Sequence, residues 1–283
     1  MLFRSEEYGF INKVLIGSSI FFFLGTIDDL FKISPYLRLF VEFITILILT
    51  YKGLIFSRFD FLPFDTTKTI ELKNNLSIFA NLIWIAGITN AINWLDGMDG
   101  LAASYAALVS IGISIISISF NHVDIFLIAV LTTSCCLAFL KYNLNPSSIL
   151  MGDGGSYLLG FLLAVMSLLS SFNKNDVLHL HLPALLLALS ILDMIFVIAK
   201  RLLSKRSPFY PDRQHIQHRI LNLGLTENKT LSFISILTLF PITLAFIFID
   251  KLLAINLLIF IFIYSVYFFW KNKKFLIKNK NHL

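Results

Sequence analysis

Residues 90–120 read NAINWLDGMDGLAASYAALVSIGISIISISF. The run from Leu101 to Phe120 carries no charged side chain, and a helix needs roughly 20 mostly apolar residues to cross the hydrocarbon core of a bilayer. The eleven residues before it are its opposite, with Asn90, Asn93, Asp96 and Asp99 punctuated by Gly97 and Gly100. A spanning segment that starts directly on an acidic, amide-rich turn decides the class: a membrane helix whose end carries chemistry.

The rest of the chain repeats the pattern. Nine segments read as spans: Asn12–Ile27, Pro35–Phe56, Leu76–Leu95, Leu101–Phe120, Asp124–Lys141, Ser156–Phe172, Leu180–Lys200, Leu231–Ile249 and Leu252–Trp270. Hydrophobic residues make up 57% of the 283 and charged residues 14%, against about 25% charged in a soluble domain. The expected fold is therefore all-α, a polytopic transmembrane bundle of about nine spans forming one domain over residues 1–283. The longest gap, Ser57 to Asn75, is polar and holds Pro63, so it has room for a short surface element. The first run ends in Asp28-Asp29 without a small-residue cleavage site and reads as a span, not a signal peptide. Cys135 and Cys136 are adjacent within an apolar run and read as packing residues.

Alternating nine spans puts Lys32, Arg38, Lys141, the basic segment Lys200 to Lys229 and the C-terminal lysines on one side. This is the larger part of the 23 basic residues. The positive-inside bias makes that side cytoplasmic. It also explains the net charge of +6 without a nucleic-acid partner. The same side collects four polar clusters, and each has a bland reading beside a chemical one.

Asp28 and Asp29 form the first, with Lys32 following. Adjacent carboxylates at a span end are costly near lipid, and serve as a proton acceptor or share a cation; a solvated helix end is the plain alternative. The second is the opening stretch. Asn90, Asn93 and Asp96 recur at three-residue spacing and so share a helix face. Gly97 and Gly100 let the backbone turn closely round a ligand, and the oxygen-only side chains suit Mg²⁺. The third is Gly152-Asp153-Gly154-Gly155-Ser156, a turn whose N–H groups face anions at a helix start. The fourth runs Pro211-Asp-Arg-Gln-His215-Ile-Gln-His218-Arg219 in the most basic loop. The histidines could bind metal, while the basic setting favours phosphate held by Arg213 and Arg219. Among the isolated polar residues, Asp193 is placed to pair with Arg201 or across the bundle. His179 and His181 need no function, His122 reads as solvated, and Asn145-Pro146 is a loop turn.

In this order the motifs resemble those of the polyprenyl-phosphate N-acetylhexosamine-1-phosphate transferases, over a region from about Ile11 to the end. The resemblance implies a Mg²⁺-dependent transfer, with Mn²⁺ as a substitute. A HexNAc-1-phosphate, GlcNAc-1-phosphate in the first place, would pass from a UDP-sugar to undecaprenyl phosphate, releasing UMP. It places this at the cytoplasmic face of a bacterial inner membrane, as the first step of a cell-wall or surface-polysaccharide precursor, with a homodimer as a family habit.

By the same resemblance Asp153 with Asn93 holds the metal, and Asp28, Asp29 and Asp96 are catalytic. Lys32, Asn90, Gly97, Asp99, His215, His218 and Arg219 bind substrate. The His-x-x-His-Arg pattern resembles the UDP-HexNAc branch; the branch using UDP-MurNAc-pentapeptide carries a histidine triplet and is the alternative donor class. Two departures stand out. The chain begins where a third family span would stand, and Leu150 occupies a position where an aromatic packs on uracil. The competing classes are a transporter, disfavoured because the acids lie at span ends and not at the midplane, and an inactive relative acting as an assembly partner.

Overall fold

The computed structural model describes residues 7–54, 56–60, 69–210, 212–247, 249 and 251–279. Among the described residues eleven helices run in the order α1 (Glu7–Phe31), α2 (Pro35–Tyr51), α3 (Asn74–Leu95), α4 (Leu101–Ser119), α5 (Val123–Asn143), α6 (Gly152–Leu169), α7 (His181–Leu186), α8 (Ala188–Leu203), α9 (Ile216–Asn222), α10 (Glu227–Ile247) and α11 (Lys251–Asn279).

Among the described residues six helices are long and apolar enough to cross a membrane: α1 from Ile11, α3, α4, α5, α6 and α10. The expectation of about nine spans is not reached. α2 stops at Tyr51, giving 17 residues where a run to Phe56 was expected. The segment 180–200 is not one helix: it breaks at Leu187 into the short α7 and the 16-residue α8. In α11 the apolar part is the shorter stretch Ala254–Val266.

The gap between α2 and α3 holds real structure. β1 (Arg58–Asp60) pairs antiparallel with β2 (Ile70–Glu71) and parallel with β3 (Leu178–His179), so a small three-stranded sheet joins two distant loops. The fold is helical with this β element added. His179 and His181 are not idle there, since His179 Nδ1 lies 2.8 Å from the buried Asp60 carboxylate. His122, expected to be solvated, places Nε2 2.8 Å from the Phe172 carbonyl.

α4 and α6 form the centre, with 67% and 61% of their spans buried, whereas α5, at 22%, lies at the rim. The centre is dense because glycines let backbones touch. A Cβ on Gly25 of α1 would stand 2.2 Å from the Asp153 carbonyl oxygen, and one on Gly160 of α6 would stand 2.7 Å from the Thr89 Cα. Phe21 and Phe161 stack in the same seam with ring centroids 4.7 Å apart. Leu15, Phe23, Phe43, Leu131 and Ile259 point outward and exposed, the surface that lipid covers. Of the paired cysteines, Cys136 is buried, Cys135 is exposed, and both are free thiols.

Candidate active site

The end of the bundle opposite the sheet gathers Asp28, Asp29, Asp96 and Asp153. α1 runs to Phe31, so Asp28 and Asp29 lie in its last turn. Here the helix dipole opposes negative charge, and each carboxylate has an external partner. Asp28, 6% exposed, pairs with the Arg38 guanidinium, whose Nη1 is also 3.6 Å from Asp153 Oδ2. Asp29 accepts hydrogen bonds from the Asp153 N–H at 2.9 Å and the Gly154 N–H at 3.1 Å. The anion expected at the glycine-rich start of α6 is thus, in this structure, a carboxylate of the protein itself. α6 begins at Gly152, four residues before the expected start, which makes Asp153 part of its first turn.

α3 supplies the next layer. Asn93 donates its Nδ2 to Asp153 Oδ1 at 2.8 Å and to Ser156 Oγ at 2.9 Å, leaving its carbonyl oxygen as the atom available to a cation. One turn earlier, Asn90 donates to the enclosed Glu42 carboxylate at 2.7 Å. Asp96 caps the end of α3. Burial, followed by the nearby charges of Asp153, Asp29 and Asp99, pushes its carboxyl up to about 7. Gly100 then adopts φ +75°, a left-handed turn that suits glycine, and its N–H is received by Asn143 Oδ1 at 3.0 Å. Asp99 accepts from the Ser147 N–H at 3.1 Å.

Beside the carboxylates lies a cavity of 310 Å³, lined by Pro35, Arg38, Leu39, Asn90, Asn93, Trp94, Gly97, Arg201, Phe209, Tyr210, Asp212, His215, Gln217 and His218. Its far wall comes from α8, the 204–214 loop and α9. Arg201 does not pair with Asp193. It sits over the Trp94 ring at 5.0 Å and grips Asp212 through Nε at 2.9 Å and Nη2 at 3.0 Å. That bond, more than any other influence, holds the Asp212 carboxyl below the usual carboxylate range. Asp193 instead binds the histidine motif, with Oδ2 2.8 Å from His215 Nδ1 and Oδ1 3.1 Å from Arg219 Nη2. His218 lines the cavity; burial, then the charges of His215 and Arg213, lower its pKa.

The structure therefore brings together Asp28, Asp29, Asn93, Asp96 and Asp153, with Asn90, Gly97, His215 and His218 on the adjoining cavity. Lys32 is exposed at the turn after α1, with φ 48°, and is not part of the cavity wall. Arg219 stands behind the wall, over the Phe196 ring at 4.1 Å. Sequence reading missed Arg38, Trp94 and Arg201 as site residues, and gave Asp212, within the fourth cluster, no role of its own. One signal was available: Arg38 follows the Ser34-Pro35 helix start, where the dipole disfavours a cation. A cation kept at such a place has another partner to serve.

The geometry can now be set beside known proteins. A family model described as glycosyl transferase family 4 matches residues 11–171. This chain belongs to glycosyl transferase family 4. It is similar to a Bacillus subtilis protein named probable undecaprenyl-phosphate N-acetylglucosaminyl 1-phosphate transferase. The two are 31% identical over 220 residues, which cover 78% of this chain and 61% of the relative. A Mycobacterium leprae decaprenyl-phosphate N-acetylglucosaminephosphotransferase is 30% identical, over 76% of this chain and 59% of its own length. A Clostridium perfringens phospho-N-acetylmuramoyl-pentapeptide-transferase is 32% identical, over 80% and 70% respectively. The aligned region spans about three fifths of the first two relatives. The matched region of the family 4 model, residues 11–171, holds Asp28, Arg38, Asn93, Asp96 and Asp153; the histidine motif lies beyond it.

Proposed function

We propose that the chain transfers a HexNAc-1-phosphate, with GlcNAc-1-phosphate as the preferred group, from a UDP-sugar to undecaprenyl phosphate at the cytoplasmic face of a bacterial inner membrane. The observation that carries the reading is the meeting of Asp28, Asn93, Asp96 and Asp153 with Arg38 beside a cavity at one end of an apolar bundle. A membrane-borne acceptor and a water-soluble donor can meet only at such an end. The names of the Bacillus subtilis and Mycobacterium leprae relatives support the choice of acceptor and group.

Phosphoryl transfer asks a protein mainly for positioning and charge neutralisation. An oxygen of the acceptor phosphate attacks the β-phosphorus of the UDP-sugar. The bond to the α-phosphate oxygen breaks, and UMP leaves with that electron pair. Arg38 and His218 offer positive charge or hydrogen-bond donors at the cavity wall, and Asp28 would accept the acceptor's proton. Asp29 acts at one remove, fixing the first turn of α6 and so the position of Asp153.

The residues fit a Mg²⁺ ion. Their donors are hard oxygens, and the carboxyl of Asp96 is driven up by burial first and then by its acidic neighbours, whose negative charge a cation relieves. Among the described residues no three His, Cys, Asp or Glu side chains already converge on one point, so the fit is one of charge and donor chemistry. Asp153 and the Asn93 oxygen would hold the ion, with Asp96 near, and when bound it supplies neutralisation of the diphosphate.

Membranes containing the full chain, given radiolabelled UDP-GlcNAc, undecaprenyl phosphate and Mg²⁺, should form a labelled butanol-extractable lipid. Its absence counts against the reading. The likeness to the Clostridium perfringens enzyme supports UDP-MurNAc-pentapeptide as a second donor. Competition by that nucleotide at lower concentration than unlabelled UDP-GlcNAc would reverse the order of preference.

A further inference from the structure

We infer that Asp193 is a positioning residue that sets the proton and the direction of the His215 ring at the cavity wall. The consequence for activity rests on the transferase reading; the geometry does not. Asp193 lies within α8 and is 5% exposed. A carboxylate so enclosed must have its oxygens occupied, or its desolvation is uncompensated. Three groups of one short segment occupy them: His215 Nδ1 at 2.8 Å on Oδ2, and the Ile216 N–H at 2.8 Å with Arg219 Nη2 at 3.1 Å on Oδ1.

The proton on His215 follows from donor and acceptor inventory. An ionised carboxylate only accepts, so the nitrogen facing it, Nδ1, carries hydrogen. The other nitrogen, Nε2, is 3.4 Å from Arg201 Nη2, and a guanidinium only donates. A neutral ring therefore has a bare Nε2, directed at a cavity-wall residue. Trp94 stands against the ring with centroids 5.3 Å apart and planes at 53°, which limits rotation. His215 thus turns one accepting nitrogen toward Arg201 at the cavity wall, and Asp193 determines which nitrogen that is. Around the ring, Asp193 and Arg201 come from α8, Asp212 from the loop, and His218 and Arg219 from α9.

The test uses the full chain in detergent as wild type, Asp193→Asn, Asp193→Glu, His215→Gln and the double variant Asp193→Asn/His215→Gln. Nitrogen-15 NMR on histidine-labelled protein, assigned by loss of one signal in His215→Gln, should show a single Nδ1–H tautomer in wild type. In Asp193→Asn the signal should move toward a mixture, because an amide can donate as well as accept. In Asp193→Glu, which restores the carboxylate, the Nδ1–H form should return. An unchanged tautomer in Asp193→Asn overturns the inference.

For UMP release, Asp193→Asn should lose about 10- to 100-fold, the usual cost of a supporting partner, and the double variant should be no worse than His215→Gln alone. Losses that multiply would mean that Asp193 acts independently of His215, which also overturns it. If wild type neither binds UDP-GlcNAc nor releases UMP, the transferase reading fails, and the tautomer measurement alone decides the role of Asp193.

Discussion

Replacing Arg38 by alanine should destabilise the protein mainly by stranding Asp28. Breaking a buried ion pair from one side costs about 3–5 kcal/mol, because the remaining charge stays desolvated. Asp28 is 6% exposed and Arg38 22%, so water reaches the pair from the arginine side and the expected loss falls to about 2–4 kcal/mol. The nearby Asp153 carboxylate, 3.6 Å from the same guanidinium, adds to the repulsion once the cation is gone. Neutralising the stranded acid should reverse much of this. Arg38→Ala/Asp28→Asn should recover at least half of the stability lost in Arg38→Ala. Reversible unfolding in mixed micelles with a graded denaturing detergent measures all four proteins of the cycle. If the double variant is as unstable as the two single losses summed, the two residues are not coupled and the assigned pairing is wrong.

Asp29→Ala removes the acceptor for two N–H groups at the start of α6; it should cost about 1 kcal/mol and speed amide exchange at Asp153 and Gly154. Exchange there at the wild-type rate would show that Asp29 is not the cap. Gly25→Ala places a Cβ 2.2 Å from a backbone oxygen of α6, so α1 must move and stability should fall by about 1–3 kcal/mol. Wild-type stability in that variant would contradict the close approach of α1 and α6. The Asp96 carboxyl sits at about 7 against 3.8 for a free one. Between those values the folded protein holds a proton that the unfolded chain has released, so stability falls as pH rises from about 4 to about 7. The full cost, about 4 kcal/mol at most, applies above that window. Asp96→Asn should flatten this slope in unfolding curves taken between pH 5 and 8, and an unchanged slope would assign it to another group.

The spans at Leu76–Leu95, Leu101–Phe120 and Asp124–Lys141 were legible to within two residues because nothing but lipid and neighbouring helices sets their length. The structure departs from the pattern where tertiary contacts decide. Apolar residues past Tyr51 leave α2 and enter the approach to a β-sheet whose third strand lies more than a hundred residues away, a pairing no local pattern displays. The break at Leu187 has no proline or glycine at it, and hydropathy runs through it unchanged. The acidic clusters were legible as chemistry, since carboxylates at span ends are costly. Their partners were not, because Asp29 meets α6 across 124 residues of sequence. For Asp193 the sequence leaves two partners open, Arg201 on its own helix or a residue across the bundle. The structure gives Asp193 to His215 and Arg201 to Asp212, two pairs that form only when the loop folds back over the cavity.

The most direct measurement of the central claim is UMP release by the purified full chain in lipid nanodiscs supplied with UDP-GlcNAc, undecaprenyl phosphate and Mg²⁺, with Asp153→Ala beside it. The account predicts release that needs all three additions and falls at least 100-fold in Asp153→Ala, about 2.7 kcal/mol or more of transition-state stabilisation. Release no greater than in Asp153→Ala, or equal in its absence of Mg²⁺ and in its presence, would contradict it.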